Sequence, residues 1–76
     1  MRLYEIEADY RPKNPNKPKY YVWADTVKDA RLIFSNIISW LTIYNVTAMN
    51  KEDSDKICNE PDKHIIIGEI KDYKNG

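Results

Sequence analysis

The sequence predicts an α+β domain: a four-stranded, mostly antiparallel sheet with one helix on one face, in the chain order ββαββ. Three observations carry this. Four short segments alternate or concentrate apolar, β-branched and aromatic residues. One central segment repeats apolar residues at helical spacing. Proline-rich and acidic stretches separate the rest.

In residues 2–10, Tyr4, Ile6, Ala8 and Tyr10 share one side while Glu5, Glu7 and Asp9 share the other, the period-two mark of a half-buried strand. Residues 11–19 contain Pro12, Pro15 and Pro18. Proline fixes φ and donates no ladder hydrogen bond, so this stretch reads as a loop of polyproline-II character. Residues 20–24, Tyr-Tyr-Val-Trp-Ala, form the second strand and close a long hairpin. Thr26, with Asp29 three residues on, starts the helix. Val27, Ala30, Phe34, Ile37 and Leu41 form its apolar stripe, widened by Ile33 and Ile38, with Lys28, Asp29, Arg31, Ser35 and Asn36 largely opposite.

Residues 42–49 read as a third strand with Tyr44, Val46 and Ala48 on one face. Residues 50–63 turn polar and acidic, an expected loop with one helical turn around Asp53 to Cys58. Residues 64–71 carry Ile65, Ile66, Ile67 and Ile70, a last strand buried on both faces or set centrally. Residues 72–76 are expected to fray. Strand order 2-1-3-4 keeps all neighbours antiparallel and order 2-1-4-3 places the isoleucine-rich strand inside; the pattern leaves both open.

One helix roofs one face of a sheet. With Tyr4, Ile6, Ala8, Tyr20, Val22, Ala24, Tyr44, Val46, Ala48, Ile66 and Ile70 turned inward, strand parity sends Leu3, Tyr21, Trp23, Ile43, Ile65 and Ile67 outward. An open sheet face this apolar marks an interaction site. The expected anchors are Tyr21, Trp23, Ile65 and Ile67, with Glu5 and Glu7 setting orientation. The competing reading has the 50–63 segment or the tail folding over this face.

Composition limits the remaining classes. Seventy-six residues suffice for one domain, 1–76, with 42% hydrophobic and 32% charged residues, as in globular chains. Twelve basic and twelve acidic residues cancel, which disfavours a dedicated duplex-DNA binder and favours self-association if apolar surface is exposed. The alternative is nucleic-acid binding by Arg11, Lys13, Lys17 and Lys19, with Tyr20, Tyr21 and Trp23 as stacking platforms. Pro12-x-x-Pro15-x-Lys17 fits an SH3-ligand pattern that a stiff loop explains equally well. Glu5, Glu7 and Asp9, with Glu52, Asp53, Asp55, Glu60 and Asp62, could present a DNA-like acidic surface, against which the neutral total argues.

Cys58 is the one cysteine and His64 the one histidine. A structural zinc site needs four ligands, and no glycine-rich oxyanion loop accompanies the pair, so no metal site, cofactor or catalytic constellation is expected. Asp53-x-Asp55 lacks the glycine and terminal glutamate of a calcium loop. No secretory signal or membrane-length apolar run is read, and the expected setting is the cytoplasm, that of the host cell if the chain is viral.

Brevity, an Ile/Lys/Asn/Tyr-rich make-up and a hairpin leading into Tyr20-Tyr21-Val22-Trp23-Ala24-Asp25-Thr26-Val27-Lys28-Asp29-Ala30 resemble small orphan accessory proteins of phages and mobile elements from AT-rich genomes. The resemblance implies an accessory or anti-defence role, binding and blocking a host protein. The expected function is thus a non-enzymatic protein-binding accessory or inhibitor, with a host protein as partner and a homodimer as a further possibility.

Overall fold

The alternating first segment forms β1 (Arg2–Asp9), which pairs antiparallel with β2 (Lys19–Ala24) and, on its other side, with β3 (Thr42–Ala48). Between β2 and β3 lies helix α1 (Val27–Ile37). The Thr26 side chain accepts from the Asp29 N–H at 3.1 Å, satisfying one of the donors a helix start leaves open. A second helix, α2 (Lys51–Asn59), and a 3₁₀ turn (Pro61–Lys63) lead to β4 (Ile66–Ile67), which runs parallel to β2. This computed structural model describes residues 1–10, 15 and 17–67. Arg11, Lys13, Ile70 and the tail expected to fray lie outside the described residues.

The class is α+β, but the sheet is mixed and its order is β3-β1-β2-β4, neither of the two orders expected. The correction has a physical cause. A connection of a dozen or more residues is what a parallel crossover needs, whereas a hairpin needs only a few. β2 and β3 are both antiparallel to β1 and hence parallel to each other, so α1 carries a crossover over β1 to the far edge. The return from β3 to β4 runs the opposite way across the sheet. If both crossovers keep the preferred right hand, the second helix must lie on the face that α1 leaves free.

The cores agree with this. Tyr4, Ile6, Ala8, Val22 and Ala24 pack beneath Ala30 and Phe34 of α1. Leu3, Tyr21 and Trp23 form a second buried cluster, packed by Met49, Ile57, Cys58 and Ile66. The sheet-facing positions of α2 are Ser54, Ile57 and Cys58, an i, i+3, i+4 stripe whose small buried Ser54 permits close approach. The expected acidic loop is therefore a helix, and the expected open face is its seat.

Two parity assignments also change. A bulge at the Glu7/Ala8 step sets Ile6 opposite Val46 but Ala8 opposite Ile43, leaving Tyr44 as the extra residue on β3. Ile43 thereby joins Val46 on the α1 side, and Tyr44 is exposed instead of buried. In β4, Ile66 pairs with Tyr21 and joins the α2 side, while Ile67 packs on the α1 side. That reverses the parity expected for the triple isoleucine. The end of α1 changes as well: the helix stops at Ile37, whose side chain stays exposed, with Ile38 as C-cap.

Candidate functional site

The residues expected to anchor a partner occupy three environments. Tyr21 and Trp23 are only 5% and 3% exposed and belong to the core under α2, so the expectation of an open aromatic face is corrected. Ile65 is exposed just before β4 and Ile67 is half-buried beneath α1. Glu5 and Glu7 are half-buried on β1, and Glu5 meets the Lys19 ammonium at 3.6 Å. Asp9, the third acid of that row, is buried.

The polar end of the α2 face gathers Glu5, Lys19, Tyr21 and His64. Glu5 lies opposite Tyr21 in the ladder, and the His64 ring meets the Tyr21 ring edge-on at 5.4 Å. Burial pushes the Tyr21 phenol above its ordinary 10.0; the Glu5 carboxylate adds to the rise and the Lys19 ammonium draws it back. A neutral phenol at neutral pH is the consequence, a packing element and not an activated nucleophile.

Of the basic loop residues, Lys17 and Lys19 are described and both are engaged. The Lys17 ammonium sits 4.6 Å from the Tyr44 ring centroid, reaching from the β1–β2 connection toward β3. With Lys19 on Glu5, neither presents an isolated charge to a phosphate backbone.

Shallow depressions among the described residues include two that bear on function. One, of about 220 Å³, lies beside α1 and is lined in part by Met1, Asp25, Asp29, Leu32 and Asn36. The other, of about 330 Å³, lies at the end of α2 and is lined by Lys56, Ile57, Asn59, Glu60 and His64. Neither lining includes a serine, threonine or cysteine to act as a nucleophile. Among the described residues, no three His, Cys, Asp or Glu side chains are placed to hold a metal ion. Cys58 and His64, six positions apart, serve separate contacts: the thiol packs on the second core and the imidazole on Tyr21. Among the described residues no helix is long and apolar enough to cross a membrane.

Exposed apolar side chains remain, Met1, Val27 and Leu32 among them, and the largest is a tryptophan. Trp40, in the turn from α1 to β3, is 72% exposed, and Ile37, three residues earlier at the end of the helix, is 55% exposed. Burying an indole removes roughly 150–250 Å² from water. Leaving most of it out forgoes roughly 3–4 kcal/mol at about 25 cal/mol per Å². A small domain that buries its other tryptophan leaves this one outside. The sequence held a signal for it: Trp40 falls off the stripe formed by Ala30, Phe34, Ile37, Ile38 and Leu41. Beyond this turn β3 forms one edge of the sheet, seven residues without a charge or a proline.

No family model matches the chain, and neither the curated proteins nor the solved structures contain a significant match.

Proposed function

We propose that this chain is a non-enzymatic binding protein that docks a protein partner through the corner made by Ile37 and Trp40. The supporting observation is the exposure of Trp40, three residues from the exposed Ile37, where the aromatic residues of the sheet's second face are covered by α2. Tryptophan is the residue type most enriched among interface hot spots, because its large rigid ring gains burial at little entropic cost. The resemblance to phage and mobile-element accessory proteins supplies the class of role: occupying a host protein in the cytoplasm.

Tagged wild-type protein and Trp40→Ala, passed over a lysate of host cells, test the reading. The expected result is a protein retained by the wild type and lost by the variant, with both giving the same far-UV circular dichroism. Equal retention by the two would remove Trp40 from the interface. Retention of nucleic acid that falls steeply with added salt would instead support the basic-loop alternative.

A further inference from the structure

Sheet edges are as informative here as faces. In the order β3-β1-β2-β4 the described edges are β4 and β3. Described β4 is only two residues long, which itself blunts an edge. β3 runs Thr42–Ala48 and contains none of the charged residues or prolines that commonly guard an edge; its one such device is the bulge at Tyr44. Asn45 to Ala48 remain regular against β1.

The direction of the backbone groups in this stretch follows from one bond. The Met49 N–H donates to the Leu3 carbonyl at 3.0 Å. Antiparallel ladders alternate by two, so Met49, Thr47 and Asn45 bond inward to β1, and Val46 and Ala48 turn their N–H and C=O groups outward. Across an antiparallel pair, opposed side chains must share a face, which restricts a two-fold pairing of β3 with itself to registers centred on a residue. Centred on Thr47, the pairing sets Val46 opposite the second copy's Ala48. Both outward pairs then close their hydrogen bonds within the regular stretch. Thr47 meets Thr47 on the α2 side, and no charge of β3 meets a like charge.

We infer that β3 pairs antiparallel with β3 of a second copy of this chain, about a two-fold axis at Thr47, joining two four-stranded sheets into one. The inference rests on the edge and does not depend on the Trp40 corner. A second copy is the occupant favoured because the strand carries no charge to repel its own copy and matches itself in face parity and bond direction at once. A short pairing of this kind gives a concentration-dependent dimer and not an obligate one.

Light scattering across a concentration series, with three variants, is the test. Ala48→Pro removes an outward donor and leaves the bonds to β1 untouched, since proline is tolerated where the N–H faces away from the sheet. It is expected to raise the dimer dissociation constant about tenfold or more. Thr47→Lys and Thr47→Glu each set like charges against each other on the axis and are expected to be monomeric alone, whereas their mixture dimerises. Should Ala48→Pro fail to fold, the Thr47 pair carries the test. A wild-type monomer at all concentrations overturns the inference. So does a dimer that persists in the folded variants, or a mixture no more dimeric than its components. A wild-type monomer whose lysate partner is still lost by Trp40→Ala would overturn the pairing alone and leave the docking reading standing.

Discussion

Removing the indole of Trp23 and removing that of Trp40 are expected to have opposite consequences. Trp23 is almost wholly buried between the sheet and α2, together with Leu3 and Tyr21, and α2 rests on this cluster through Ile57 and Cys58. Truncating a buried tryptophan to alanine costs about 3–5 kcal/mol, the sum of lost transfer energy and the cavity left behind. Domains hold about 0.05–0.15 kcal/mol per residue, which for 76 residues is roughly 4–11 kcal/mol. Trp23→Ala therefore removes between about a quarter and all of the net stability. At about 4–8 °C per kcal/mol for a domain of this size, the midpoint falls by at least about 12 °C. Trp40→Ala touches a solvated ring and is expected to stay within about 0.5 kcal/mol of wild type. Urea titrations followed by far-UV circular dichroism read both without relying on tryptophan emission. A loss below about 1 kcal/mol for Trp23→Ala, or one above about 2 kcal/mol for Trp40→Ala, would refute the assignment of the two rings to core and surface.

Two further perturbations test the parts that close the second face. Asn50 caps α2 by accepting from the Asp53 N–H at 2.8 Å, so Asn50→Ala is expected to cost about 1 kcal/mol, with faster amide exchange concentrated in the first turn of that helix. The raised pKa of Tyr21 makes folding sensitive to alkali. Its folded value lies above its unfolded one, so the contribution is complete below the unfolded value near 10.0 and is lost as pH rises through the folded value, because the unfolded chain releases the proton first. The wild type is therefore expected to lose more stability above pH 10 than Tyr21→Phe in paired urea titrations. Identical alkaline profiles would contradict the shift. Glu5→Gln removes one cause of it and is expected to lower the Tyr21 midpoint in a phenolate absorbance titration, while an unchanged midpoint would leave burial as the sole cause.

The first hairpin, the capped helix and the third strand were legible because each rests on local periodicity: alternation in residues 2–10, the Thr26/Asp29 cap, and the stripe through Ala30 and Phe34. The outward parity of Leu3, Tyr21 and Trp23 was legible on the same ground. The 50–63 segment was legible as a cover for them, as the competing reading had it; that it does so as a full helix was not, because the stripe of Ser54, Ile57 and Cys58 is short and sits among charges, so its hydrophobic signal is weak. Two cues were nevertheless present. Asn50 and Asp53 repeat the cap spacing of Thr26 and Asp29, and the long connection before Ile65 suits a crossover better than a hairpin. The reversed parity of Ile66 and Ile67 follows from the same miss, since a strand beside β2 answers to Tyr21 and Val22 and not to β3. Trp40 gave no signal for another reason: periodicity ranks residues by membership of a stripe, and Trp40 stands outside it.

Roofing both faces limits where so small a sheet can meet another molecule. A four-stranded sheet with apolar side chains on both sides must bury both, and the two crossovers of this topology do so with one short helix each. Each helix packs on its own face of the sheet. The perimeter is then the part whose outward backbone groups take no part in the ladder, and β3 is its longest described stretch. The turn that delivers the chain from α1 to β3 holds Trp40, two residues before that edge strand begins. An exposed indole and the outward backbone donors of an edge strand thus lie close together in the chain. Placing them there costs the fold nothing in its two cores, since neither the Trp40 ring nor the outward groups of Val46 and Ala48 take part in sheet or helix packing.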